Sequence, residues 1–131
     1  MLREVEVHLA MTTASKAPAG ALLAQHNAAL DHLIQQCPQL RATQLRLFLS
    51  IAEQEGRSMS ELARELGLTL AAVSRNCDIF SGRGRKDGMG PRLNWIRMVE
   101  DESNRSVRLV YLTKQGLEAV TKYIAILHGE V

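Results

Sequence analysis

The sequence predicts a mainly α domain that carries a small β-hairpin. Three observations predict it. Apolar residues recur at helical spacing through most of the chain, two short helices near its middle have explicit start and stop residues, and two stretches after them are rich in Val, Ile, Leu, Trp and Tyr. The 131 residues are 46% hydrophobic and 23% charged, with 9 Gly and 3 Pro, enough apolar material to offset chain entropy in one folded domain. No apolar run approaches the roughly 20 residues of a membrane helix. No membrane partner and a cytoplasmic location are therefore expected.

Residues 1–20 stand apart. Val5, Val7 and Leu9 alternate with Glu6 and His8 as in a short strand, and MTTASKAPAG follows as a linker with Pro18 and Gly20. They form an N-terminal extension and linker to a domain over residues 21–131. From Ala21 the period becomes helical, with Leu22, Leu23, Leu30, Leu33 and Ile34 within one third of the circumference, and Pro38 ends the helix. His26 falls inside that face, where a buried, hydrogen-bonded histidine is expected. A second helix runs from Thr43, its expected N-cap, to about Glu55. Its apolar residues cover more than half the circumference, which places it at the centre of the domain.

Ser58-Met59-Ser60-Glu61 is a capping box, in which Ser58 Oγ takes the Glu61 amide and Glu61 reaches back. Met59, Leu62, Ala63 and Leu66 give the helical stripe, Gly67 supplies a left-handed stop, and Thr69 caps the next helix. Two short helices joined by a tight glycine turn make a helix-turn-helix. On the second, spanning 69–80, Leu70, Val73, Cys77 and Phe80 share one face and Ala71, Ser74, Arg75 and Asp78 the opposite one.

Residues 81–92, SGRGRKDGMGPR, break all periodicity and form a basic loop with Arg83, Arg85, Lys86 and Arg92. Leu93–Val99 and Ser106–Leu112 suit strands, joined by the polar EDESNR loop, with Trp95 and Tyr111 expected to pair their rings across the hairpin. Thr113 caps a final helix whose apolar residues, Leu117 to Leu127, take about half the circumference. The whole is a winged helix-turn-helix.

Charge points to a partner class. Residues 1–66 carry 6 Lys/Arg against 7 Asp/Glu and residues 67–131 carry 10 against 7, so the net +2 divides as −1 and +3. A basic second half suits double-stranded DNA. The helix 69–80 is narrow enough for the major groove, where Arg75 can bond a guanine, Ser74 a base or phosphate, and the Ala71 methyl can meet a thymine methyl. Thr69 with the helix N-terminus suits a phosphate. Arg105, on a wing around 100–105, suits the minor groove, and Arg83, Arg85 and Lys86 suit the DNA backbone.

The residues Leu40–Val120 resemble the MarR (multiple antibiotic resistance regulator) family of winged-helix transcription factors. SMSELARELGLTLAAVSRNCDIF matches its helix-turn-helix, and DESNRSVRLVYLTKQG is similar to its D-x-x-D-R…L-T-x-x-G wing signature, with Asn104 at the second acid. The basic loop adds a resemblance to phage- and plasmid-type members. The resemblance implies that Ser74 and Arg75 read bases and backbone, that Arg105 is the wing arginine, and that a symmetric dimer binds a palindrome under control of a small-molecule effector or oxidant. The apolar excess on the first and last helices independently predicts a homodimer.

Two other readings remain open from the sequence: a replication or partition module of a mobile element, and a winged-helix protein-interaction module. An enzyme is not expected, because paired carboxylates, a nucleophile–base pattern and metal-ligand spacing are missing. Cys37 and Cys77 form no CxxC pair, so no metal and no cofactor are expected.

Overall fold

Local capping chemistry sets most of the helix boundaries. The computed structural model describes residues 18–82 and 93–130, so the expectations for the N-terminal extension and for Arg83, Arg85 and Lys86 lie outside the described residues. The elements are α1 (Ala19–Gln36), α2 (Ala42–Glu53), α3 (Met59–Leu66), α4 (Leu70–Phe80), β1 (Ile96–Asp101), β2 (Asn104–Leu112) and α5 (Lys114–Leu127). Ser58 Oγ accepts from Glu61 N–H at 3.1 Å and Glu61 Oε1 from Ser58 N–H at 3.3 Å, which completes the capping box. Thr69 Oγ1 accepts from Ala72 N–H and Thr113 Oγ1 from Gly116 N–H, each at 3.0 Å. Gly67 ends α3 at φ +68°, where glycine carries no Cβ penalty.

One cap differs from expectation. The start of α2 is Ala42 rather than the residue after Thr43, because Gln44 Oε1 takes the Arg41 N–H at 2.9 Å and closes the first turn upstream.

The core lies between the helix-turn-helix and the hairpin. Leu47, Phe48 and Ile51 of α2, Leu62 of α3, Val73, Cys77 and Phe80 of α4, and Ile96 and Val110 of the hairpin are all buried, so α2 is central as its wide apolar face requires. Arg57 is buried beside it. Its guanidinium donates to the Ser50 and Gln54 carbonyls at the end of α2 and pairs with Glu65 of α3. The Gln54 carbonyl would otherwise lack an intrahelical partner, and the Ser50 carbonyl accepts from Arg57 in addition to the Gln54 N–H. Arg57 thereby fixes the corner between the two helices.

The β1–β2 ladder is antiparallel, pairing Ile96 with Leu112 and Glu100 with Arg108. It is longer than a six-residue EDESNR loop allows, since Asp101 pairs with Asn104 around a tight turn. Asp101 Oδ1 takes the Ser103 N–H and hydroxyl, and Asn104 Oδ1 takes those of Ser106. These side chains supply the turn's hydrogen bonds, which lets polar residues continue the strands. At the other end β1 begins at Ile96 rather than Leu93, because Asn94 bridges Ser81 and Trp95 N–H donates to Phe80 O at 2.8 Å. The free edge of β2 is met by the segment before α3, where Gly56 N–H donates to Val110 O and Val110 N–H to Arg57 O.

The rings pair differently from expectation. Trp95 packs on Phe48 at 4.6 Å between centroids and lies nearly parallel to Phe80 at 6.0 Å, whereas Tyr111 faces Arg97, whose guanidinium sits 4.7 Å from the ring centroid. Arg97 and Tyr111 are directly opposed in the ladder, on the side away from the core. His26 is exposed rather than buried, because the core-facing residues of α1 begin only at Ala29.

The glycine of the L-T-x-x-G stretch has a steric cause. A Cβ on Gly116 would lie 1.9 Å from the Trp95 carbonyl oxygen and 2.8 Å from its carbon. Backbone must move to admit it. Gly116→Ala is expected to destabilise the domain by about 1–3 kcal/mol despite alanine's better helix propensity. Urea unfolding followed by circular dichroism checks this, and an unchanged midpoint would show that the close approach is relaxed at no cost.

Candidate nucleic-acid interface

Helix α4 presents its N-terminal half outward. The Gly67 turn and the Thr69 cap set its start, and Leu68 N–H donates to Ala63 O at 2.9 Å, folding the turn back on α3. Along the exposed surface run two i, i+4 rows, Leu70–Ser74 and Ala71–Arg75. Thr69, Ala71 and Arg75 are exposed and Ser74 is half-buried, so these four predicted positions come together on one helix. Leu70 departs from its predicted core face. It is 51% exposed, since the first residue of α4 projects beyond the packed part of the helix.

Asp78 does not hold Arg75. Among the described residues the one ion pair joins Arg57 to Glu65. The first turn of α4 carries no acidic residue, so nothing there repels an approaching phosphate.

The structure adds residues that the sequence did not single out. Gln44 is buried, and its Nε2 donates to Asn76 Oδ1 at 3.2 Å, which ties the start of α2 to the middle of α4. Beside this bond lies a cleft of about 470 Å³, lined by Arg41, Thr43, Gln44, Arg75 and Asn76 among others. Two guanidinium groups, from Arg41 and Arg75, thus border one cleft. The nearest signal in the sequence is the position of Arg41 directly before α2; its proximity to Arg75 is a tertiary fact.

Arg105 is exposed on β2 beside the hairpin turn, on a different element from the α4 rows. Glu100, Asp101 and Glu102 adjoin it, so the wing tip carries a mixed charge with one guanidinium at the turn. Arg83, Arg85 and Lys86 are outside the described residues. Their segment leaves after Gly82 and returns before Leu93, and the Ser81–Asn94 bridge closes its base at the C-terminal end of α4.

A second groove of about 680 Å³ lies between α1, α5 and the start of the hairpin, lined by His32, Gln35, Gln36, Asn94, Trp95 and Lys122 among others. Among the described residues no group of three or more His, Cys, Asp or Glu is placed to hold a metal ion. No described helix is long and apolar enough to cross a membrane.

No protein-family model matches the chain, and no curated protein matches its sequence. Solved structures do match. Streptococcus pneumoniae FabT, in complex with DNA, is 20% identical with a TM-score of 0.54, covering 70% of this chain and 56% of FabT. RV1404 from Mycobacterium tuberculosis is 18% identical with a TM-score of 0.66, covering 96% of this chain and 74% of its own. A MarR-like transcriptional regulator from Thermotoga maritima is 21% identical with a TM-score of 0.54, covering 72% of this chain and 62% of its own. The chain therefore spans little more than half the length of FabT. The five helices and antiparallel hairpin have the MarR-type winged-helix fold that the sequence motifs imply.

Both cysteines are buried and free. Burial, and secondarily the Asp78 charge, push the Cys77 thiol up from 9.0 to about 12. A raised folded value favours the neutral thiol in the native state. Its contribution to stability is complete below pH 9 and is lost as pH rises from there towards 12. Since the thiolate is the nucleophile, Cys77 is expected to resist iodoacetamide at pH 8 in the native chain and to react once urea unfolds it. Mass spectrometry of the peptide reads the outcome; native-state alkylation at Cys77 would contradict it.

Proposed function

We propose that the chain is a sequence-specific DNA-binding transcriptional regulator that acts as a homodimer. The observation that carries the proposal is the outward N-terminal half of α4, with Arg75 and Ser74 in adjacent rows and no carboxylate in the first turn. That end of the second helix is where a helix-turn-helix meets base edges in the major groove. The DNA bound by FabT in its solved complex supports the same reading for this fold.

In this account Arg75 bonds a guanine, Ser74 a base or phosphate, and Ala71 lies near a thymine methyl. Thr69 and the first amides of α4 meet one phosphate, and Arg41 across the cleft meets another. Arg105 enters the adjoining minor groove. Arg83, Arg85 and Lys86 add backbone contacts that carry no sequence information.

The dimer rests on uncovered apolar surface. Leu23 and Ile34 of α1 and Leu117 and Ile124 of α5 are exposed in a single copy, and a groove along α5 combines Leu117, Ala125 and Ile126 with Glu118, Lys122 and Glu130. Pairing these faces by two-fold symmetry would bury them and set two recognition helices roughly 34–36 Å apart, one DNA turn. A small-molecule effector belongs to the same proposal: bound in the groove between α1 and α5, it would change how these helices present α4.

Titration of a preferred duplex and a random duplex at several salt concentrations tests the DNA-binding surface. Arg75→Ala is expected to cost roughly 1–3 kcal/mol on the preferred duplex only. Replacing Arg83, Arg85 and Lys86 together by Ala should weaken both duplexes alike and reduce the log–log salt slope by about 0.9 for every phosphate no longer neutralised. Equal weakening on both duplexes for Arg75→Ala would assign it to the DNA backbone instead. For assembly, sedimentation equilibrium at micromolar concentration is expected to give a dimer, and a monomer that binds a non-palindromic duplex would refute the symmetric arrangement.

A further inference from the structure

Six large hydrophobic side chains are exposed among the described residues: Leu23, Ile34, Leu70, Val99, Leu117 and Ile124. Four belong to α1 and α5, where the proposed dimer covers them, and Val99 lies on β1. Leu70 is the one on α4. It is the first residue of the helix and more than half exposed, one turn before Ser74 in the same row. Its position has no structural need for leucine. The Thr69 cap holds the helix start, the core face is supplied by Val73, Cys77 and Phe80, and a polar straight-chain residue would serve helix propensity as well. An acidic residue, the common stabilising choice in a first turn, is missing from this one and present in α3 as Glu61.

We infer that Leu70 is a specificity-determining residue that reads thymine by packing on its C5-methyl group in the major groove. This inference rests on the DNA-reading function proposed above. The major-groove edge of a T·A pair is marked by a methyl that is recognised by apolar contact, and residues at the start of a recognition helix are the ones that reach base edges. Leu70 carries more reach than the Ala71 methyl and adjoins the row of Ser74. Burying the thymine methyl against it removes both apolar groups from water, a gain that cytosine, which carries only a hydrogen at C5, does not offer.

The test uses the full chain and a labelled duplex selected by the wild-type protein from a random pool, with each thymine replaced in turn by deoxyuridine. Deoxyuridine pairs as thymine does and lacks only the methyl. For the wild-type chain, substitution of the thymine that Leu70 contacts in each half-site, distinct from any thymine near Ala71, is expected to weaken binding about fourfold, the worth of one buried methyl. Leu70→Ala should weaken binding to the unmodified duplex by a similar factor or more and be indifferent to that same substitution. Because the side chain is exposed, Leu70→Ala should keep the wild-type circular dichroism spectrum and thermal midpoint. If Leu70→Ala and deoxyuridine weaken binding independently at every thymine, the inference falls while the DNA-reading function stands. If the wild-type chain selects no sequence at all, both fall.

Discussion

Trp95 is the joint on which the other elements are placed. Its ring lies against Phe48 of α2 and Phe80 of α4, its N–H donates to the Phe80 carbonyl, and its own carbonyl accepts from Thr113 and abuts Gly116. One buried residue thus touches the central helix, the end of α4, the root of the wing and the start of α5. Truncating a buried aromatic of this size costs about 3–5 kcal/mol, a large part of the roughly 5–15 kcal/mol by which a domain is stable. The arrangement also explains why glycine stands at position 116: the helix must start hard against a backbone carbonyl, and any Cβ would occupy that space.

From this joint follows the rigidity of α4. Its C-terminal end is fixed by the Phe80–Trp95 hydrogen bond, its middle by the Gln44–Asn76 bond, and its start by the Gly67 turn and Thr69. A helix held at three points keeps Leu70, Ser74 and Arg75 in a set geometry, which lowers the ordering cost of the contacts proposed for them.

Much of this was legible in the sequence, and the legible parts are local. The Ser58–Glu61 box, the Gly67 stop and the Thr69 and Thr113 caps each act within three residues, and each stands where the motif puts it. Thr69, Ala71, Ser74 and Arg75 come together as the sequence places them, because one helix and its cap carry them all. What escaped depends on side chains reaching beyond their own positions. The start of α2 moved because a Gln44 side chain reached back, the strands ran on into the expected loop because Asp101 and Asn104 supplied turn hydrogen bonds, and Arg41 came to border the Arg75 cleft through tertiary packing. Leu70 and His26 show the limit of periodicity. Both fall at angles that suit burial, yet both lie on helix turns that extend beyond the surface they pack on.

The N-terminal half of α4 is proposed to read base pairs. Selection of duplexes from a random pool by the full chain is the direct test. Enrichment of an inverted repeat whose half-sites are about one helical turn apart is expected. A pool that stays random through successive rounds, with the protein folded throughout by circular dichroism, would contradict it.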